Sequence, residues 1–392
     1  MGSSTRSVDE VLKSLNSINP EDFAADGDRS NVLLAAYALV SRLETPWEAV
    51  ARLCMNQPAL EASLKVAKDL QLFEKWHERG DGPENSDTLA DLVQCDKQLF
   101  SRILRHMAVN HVLQEVSASV YKPTAFSLSL LQPVFGEWIN YLYDAAIPCF
   151  HRMPEYLQKT RYQTPIDPDD GVFQYAKDYK GDLFKYYADH PKEGASFNHV
   201  MGGVMANQAS WVNIIPAEAF INGSDPSQPL IVDVGGNVGH DIEKFRKEFP
   251  ETAARLYLED KPGVIALSKV PDPVNKIPHD FFQPQPIKGS RVYYMHGVLH
   301  DWADEPAHKI LQMLRDALKP GYSKLLIHDH IVPEVSAHPH ATSYDLTMMV
   351  LVAGLERTES AWHALLQSAG YKVIRVWRSP LAAQAILEAE LA

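Results

Sequence analysis

Leu230-Ile-Val-Asp-Val-Gly-Gly-Asn-Val-Gly-His240, followed about 20 residues later by Glu259-Asp260, decides the fold of this chain. An apolar run ends in a glycine-dense turn, and Ile242, Phe245 and Phe249 then mark one face of an amphipathic helix. Ala254 to Leu258 reads as a second strand carrying the acidic pair at its tip. This is the opening β-α-β of a nucleotide-binding sheet. Glycines let a ligand approach the backbone, and a carboxylate at the second strand's end can hold ribose hydroxyls. The glycines fall at Gly235, Gly236 and Gly239, not as G-x-G-x-x-G, and no phosphate-loop Lys-Ser/Thr follows. His240 adds bulk where a pyrophosphate needs the helix N-terminus clear. The turn suits an adenosyl ligand without phosphates; the alternative is a tight structural turn.

From Pro229 onward strand and helix patterns alternate. Strands are expected at 229–235, 254–260, 275–279, 291–297, 323–332, 371–378 and 383–389, with helices near 240–249, 262–269, 304–318, 343–354 and 359–369. This predicts an α/β, doubly wound, Rossmann-like sheet. The last two strands have only Arg378-Ser-Pro-Leu-Ala382 between them, so they should form an antiparallel hairpin at one edge, giving seven strands with one reversed.

Upstream, residues 8–225 read as almost wholly helical. Val32 to Leu43 is apolar, Thr45-Pro46-Trp47 opens the next helix, and Ala59 to Trp76 is amphipathic. Helices at 87–93 and 97–109 and short strands at 112–116 and 119–122 outline a winged helix. Residues 59–125 hold 8 Lys/Arg against 10 Asp/Glu, so the outline favours helical packing or dimerisation over DNA binding. The Pro-, Asp-, Gly- and Tyr-rich stretch from Lys159 to Gly194 marks a seam, which gives two expected domains, 1–160 and 161–392.

A formal charge of −13 disfavours nucleic acid as a main partner. Cys54, Cys95 and Cys149 are far apart with no CxxC, which suits a reducing compartment and offers no metal site. His328 and His330 share a strand face; at a strand end they read as exposed polar residues and not as metal ligands. With no signal peptide and no apolar run long enough to span a bilayer, the expectation is a cytoplasmic protein.

Ligands of an open α/β sheet bind beyond the carboxyl ends of its strands. The polar residues there are Asp233, Asp260, Asp280, His296, His300-Asp301-Trp302 and His328-Asp329-His330, with Glu356-Arg357 between two helices. A histidine flanked by carboxylates is the arrangement for general-base work. The plainer account of His300-Asp301 is a helix start with Asp301 or Asp304 as N-cap and Pro306 in the first turn. No G-x-S-x-G elbow or strand-end cysteine offers a nucleophile.

At this point the chain resembles plant-type small-molecule O-methyltransferases that use S-adenosylmethionine, and more closely their fungal biosynthetic-cluster relatives. The likeness runs through 232–241, 258–262, His279-Asp-Phe-Phe282, Tyr294 to Glu305, Leu318-Lys-Pro-Gly321, 325–329 and Gly354 to Thr358. Upstream, Leu43-Glu-Thr-Pro-Trp47 and Leu99 to Met107 resemble the family's dimerisation domain. The resemblance implies that the Gly235-Gly236-Gly239 turn passes beneath the methionine part of S-adenosylmethionine or S-adenosylhomocysteine. By the same likeness Asp260 binds ribose, and Asp280 with Phe281 the adenine. His300 would be the base, flanked by Asp329 and Glu356. Phe197, Asn198 and Met201 would face Met348 and Met349 across a small-molecule acceptor pocket suited to a flat aromatic or polyene, although each methionine also fits plain core packing. His296 stands where plant members carry a lysine and puts a second titratable group in the cleft beside the cofactor. Asn237 replaces a glycine, Lys261 a leucine, and Asp329 the longer glutamate of plant members. A homodimer is implied, with the amphipathic N-terminal helices covered by a second copy.

Proteins of this fold that bind the cofactor and close polyketide-derived quinone methides by dehydration or pericyclic reaction are the second reading. The full set His300, Asp329 and Glu356 favours methyl transfer. A cofactor-binding regulator acting through the winged helix is the third, weakened by its missing basic face.

Overall fold

The computed structural model describes residues 7–207, 210–378 and 384–392. They fall into two compact units, Met1–Leu60 and Glu61–Ala392. The first unit is helical. Val8–Asn16 and Asp26–Leu43 are followed by Pro46–Ala51, which Thr45 opens with a full capping box, its side chain accepting from Glu48 N while Glu48 reaches back to Thr45 N. Leu12, Tyr37, Leu43, Trp47 and Met55 all remain exposed.

The second unit begins with the winged-helix outline. Ser86–Val93 and Lys97–Val109 are capped by Asn85 and Asp96, and Leu113–Ser117 pairs antiparallel with Val120–Pro123. Trp76, Leu89, Phe100, Leu104 and Tyr121 are its buried centre. Two details differ from expectation. The ribbon gains a third short strand, Glu84–Asn85. The expected single helix from 59 to 76 is two, Gln57–Asp69 and Leu72–His77, because Gln71 takes a left-handed conformation (φ 55°) and ends the first.

The large sheet contains β1 (Ile231–Val234), β2 (Leu256–Asp260), β3 (Asn275–Pro278), β4 (Val292–His296), β5 (Lys324–Val332), β6 (Tyr371–Arg378) and β7 (Gln384–Leu391), in spatial order β6-β7-β5-β4-β1-β2-β3. β7 pairs antiparallel with both β5 and β6, so the reversed strand lies one place inside the edge. The hairpin joining β6 to β7, and residue 383 of the expected last strand, lie outside the described residues. Four helices matter for the site: α1 (His240–Glu248), α2 (Asp304–Arg315), α3 (Pro339–Val352) and α4 (Glu359–Ser368).

Alternation along the strands separates two cores. Val232, Tyr293, Met295, Leu325, Ile327 and Leu387 bury one face with Leu311 of α2 and Trp362 of α4. Ile231, Tyr294, Leu326 and Ile386 bury the other with Ile242 and Phe245 of α1 and Trp211. A third core joins helices from Pro133–Tyr141 to Pro191–Asn207 with Met348 and Leu351 of α3. Within the Lys159–Gly194 stretch, Val172, Phe173, Leu183, Tyr186 and Tyr187 all bury in that core. Strand order reverses between β1 and β4, so the crevice for a ligand opens where those two strands end.

Candidate functional site

The β1–α1 turn is shaped by what it leaves no room for. A Cβ on Gly236 would stand 2.5 Å from Asp233 Cγ and 2.6 Å from Leu258 Cδ1. Gly239 combines a φ of +97° with a Cβ position 2.4 Å from Val270 Cγ2. Gly235 lies on the β4 side, where its Cβ position is 3.0 Å from Val298 Cγ2. Gly236→Ala is expected to push the turn outward, weakening adenosyl-ligand binding by about ten-fold or more and stability by roughly 1–3 kcal/mol. Titration calorimetry and thermal unfolding check both.

Asp260, at the tip of β2, holds the same turn. Its Oδ2 accepts from Asn237 N at 2.8 Å and its Oδ1 from Lys261 N at 2.7 Å. Each oxygen keeps a lone pair for a further donor, which is what a vicinal diol requires. Burial raises its pKa, and the two N–H donors oppose that rise. Asp280 is exposed and fixes the next turn by accepting from Phe282 N at 3.0 Å. Phe281 is half-buried against the core, its ring edge-on to Trp302 at 6.1 Å.

His300, in the turn Leu299–Asp301 after β4, is 8% exposed. Its Nδ1 is 2.6 Å from Glu356 Oε1 and its Nε2 is 3.5 Å from Asp301 Oδ1. Asp329, in the second half of β5, is fully buried, and neither of its oxygens has a hydrogen-bond partner. Among the described residues no Lys or Arg lies within ion-pair distance of these three carboxyls. Arg357 turns away from them. Its guanidinium donates to Leu299 O at 2.9 Å, Trp302 O at 2.7 Å and Asp304 Oδ1 at 2.9 Å, and so pins the turn that carries His300. Arg357→Met should cost about 2–4 kcal/mol, read as a fall in the denaturation midpoint, because buried carbonyls lose their donor.

The electrostatics follow from that geometry. Burial alone would lower the His300 pKa, but Asp301, Asp329 and Glu356 outweigh it and raise it to about 10. Burial pushes Asp329 up to about 7 against the pull of His300, and raises Asp301 likewise. Three carboxyls so placed favour the protonated imidazole, against the burial that opposes it. The expected N-cap is also absent: α2 starts after Ala303 with no side-chain cap, because Asp304 is engaged with Arg357 and Asp301 faces His300.

His296 sits at the end of β4 with both ring nitrogens engaged, Nδ1 with Asp241 Oδ2 at 2.5 Å and Nε2 with Gln384 Oε1 at 3.0 Å. Two acceptors favour the imidazolium, which offsets the lowering by burial and raises its pKa. The neighbouring His328 is buried, not exposed as its place at a strand end suggested. It stacks on His296 at 4.0 Å and bonds Tyr294 Oη through Nδ1 at 2.8 Å; burial first, and then His296, lower its pKa well below the usual value. His296 is thus a buried ring held on both nitrogens between α1 and β7, not a free group in an open cleft.

Phe197, Met201, Met348 and Met349, four of the five residues expected to line an acceptor pocket, share the third core. Phe197 stacks on Tyr187 at 4.7 Å and lies 5.6 Å from Tyr141; with Met201 and Met349 it packs against the cluster that contains Met348. Asn198 is exposed on the same helix. Sequence reasoning missed Tyr344, whose ring lies parallel to that of His300 (12°, centroids 6.4 Å apart) and 5.0 Å from His330. Its signal was the four-residue step to Met348 along α3. Asp241 and Gln384 were also missed, since one reads as a helix-start acid and the other as one strand residue among many.

Comparison with known proteins gives a concordant result. The family model described as O-methyltransferase domain matches residues 158–372. The chain is 64% identical over 381 residues to "O-methyltransferase mfmE" of Annulohypoxylon moriforme, covering 97% of this chain and 95% of that one. Among solved structures, "A Pericyclic Reaction enzyme" superposes with a TM-score of 0.85 at 25% identity, covering 98% of this chain and 99% of that one. LepI in complex with SAM superposes at 0.83 and 25% identity, covering 98% of each chain.

Proposed function

This chain belongs to the O-methyltransferase family, and we propose that it transfers a methyl group from S-adenosylmethionine to a hydroxyl of a small aromatic or polyketide-derived metabolite. The fold and the cofactor are those of that family. The observation that carries the reading is the His300 cluster, one buried imidazole whose Nδ1 is fixed by Glu356 and whose Nε2 lies 3.5 Å from Asp301 Oδ1. The relative sharing nearly two thirds of its residues carries the name O-methyltransferase, which supports transfer.

The cofactor supplies an activated methyl on a sulfonium. The rest falls to the chain. The Gly235-Gly236-Gly239 turn admits the ligand close to the backbone. Asp260 takes the ribose hydroxyls, and Asp280 with Phe281 takes the adenine. His296, held by Asp241 and Gln384 at the end of β4, stands beside the cofactor. Phe197, Met201, Met348 and Met349 hold a flat acceptor, with Asn198 at the outer end. His300 Nε2 receives the hydroxyl proton while Glu356 orients the ring and stabilises its charge. The decisive experiment offers hydroxylated aromatics with the cofactor and looks for methylated product and S-adenosylhomocysteine.

The structural likeness to an enzyme named for a pericyclic reaction supports a second reading, ring closure with the cofactor bound but unspent. A product isomeric with its substrate would establish that reading.

No helix among the described residues is long and apolar enough to cross a membrane. We also propose a homodimer, with a second copy covering the exposed apolar residues of the first unit. Sedimentation at micromolar concentration should show twice the monomer mass; a monomer throughout would contradict it.

A further inference from the structure

A base that already holds a proton cannot accept another, and the site geometry makes that problem acute. Three carboxyls stand about one imidazole, Asp329 and Glu356 buried and Asp301 partly so, and the adjacent guanidinium is engaged elsewhere. Asp329 has neither donor nor solvent to compensate its charge. An anion so placed binds either a proton or a neighbouring cation.

We infer that the His300–Asp301–Asp329–Glu356 cluster keeps a proton while the site lacks a positive charge, and releases it only when the sulfonium form of the cofactor is bound. The base is then armed by the arrival of the methyl donor and stays disarmed beside the product. This rests on the proposed transfer reading and concerns only the protonation of the chain's own groups.

The groups facing His300 are few and come from every side. Asp301 lies in its own turn, Asp329 and His330 on β5, Glu356 and Arg357 after α3, and Tyr344 and Asp345 on α3, with Tyr141 at the end of helix Pro133–Tyr141. Arg357 is bound to three carbonyls and Asp304, His296 acts on Asp329 from the end of β4 but is itself held by Asp241, and Tyr344 carries a phenol raised by burial and by those same acids. A fixed positive charge entering this set lowers the proton affinity of all its members, and the imidazolium gives up the proton on Nε2, since Nδ1–H stays with Glu356. In the transfer step the S–C bond breaks and the C–O bond forms, and the acceptor's hydroxyl proton returns to Nε2. The thioether left behind is uncharged, so the imidazolium then persists until product leaves. Each turnover releases one proton overall, at the binding step.

Titration calorimetry in buffers of different ionisation enthalpy tests this without any acceptor. S-adenosylmethionine and S-adenosylhomocysteine are each titrated into wild type and His300→Gln between pH 7 and 10. Amino groups of the ligands titrate too, so the quantity compared is wild type minus variant. For the sulfonium, that difference should peak at about half a proton released or more; for the thioether it should stay near zero. A His300 ring resonance that is protonated with the thioether and neutral with the sulfonium at the same pH is a second readout, independent of how well the variant folds. Equal proton release for both ligands, or none for the sulfonium, overturns the inference while leaving the cofactor reading intact. Absence of binding by either ligand overturns both.

Discussion

His300→Gln is expected to lower the turnover number for methyl transfer by about 10³-fold while leaving cofactor affinity within a few-fold of wild type. Glutamine can still donate to Glu356 and fill the cavity, so the turn pinned by Arg357 persists. What disappears is a group at Nε2 able to take a proton. General bases contribute roughly 10²–10⁴-fold, and a buried acceptor hydroxyl with no water to ionise it belongs to the upper part of that range. Rapid-quench turnover with saturating cofactor measures the loss. Retention of more than a tenth of wild-type turnover would remove His300 from the role of base.

Asp260→Ala should weaken binding of S-adenosylhomocysteine by about 10²-fold, read by calorimetry. Two losses combine. The lone pairs available to the ribose hydroxyls vanish, and the N–H groups of Asn237 and Lys261 lose the acceptor that shapes the turn. Charge-assisted hydrogen bonds are worth about 1.5–3 kcal/mol each, and about 2.7 kcal/mol corresponds to the stated factor. The residue is half-buried at a strand tip, so the fall in thermal midpoint should be only a few degrees. An unchanged dissociation constant would mean that the diol is held elsewhere.

These expectations show which parts of the molecule were legible beforehand. Strand positions, the reversed hairpin and the start of α1 at His240 could be read from alternation, glycine placement and the absence of a helix before the last strand. Residues 159–194 were read as a seam from their Pro, Asp, Gly and Tyr content; that Phe173 and Tyr186 pack edge-to-face at 5.1 Å is a tertiary contact that no local pattern announces. The break at Gln71 was hidden because nothing in a polar residue signals a left-handed backbone.

The site shows the same division. Glu356 beside His300 was anticipated from the motif in which it stands. The orphaned state of both Asp329 oxygens was not, because it depends on what fails to reach them from β4, α3 and the Arg357 guanidinium. His296 was expected in the cleft, but its partners Asp241 and Gln384 lie 55 and 88 residues away in the chain. Long-range pairing holds its ring and favours its protonated form, and a single sequence does not print such pairings. The proton economy of the active centre thus became visible only once the strands were in register.

The central claim is that a methyl group leaves the cofactor for an acceptor hydroxyl under the control of His300. Mass spectrometry of reactions containing methyl-deuterated S-adenosylmethionine and a panel of phenolic polyketides tests it directly. The account predicts a product heavier by one labelled methyl, matched mole for mole by S-adenosylhomocysteine, and lost in His300→Gln. An isomer of unchanged mass, formed with the cofactor recovered intact, would contradict it.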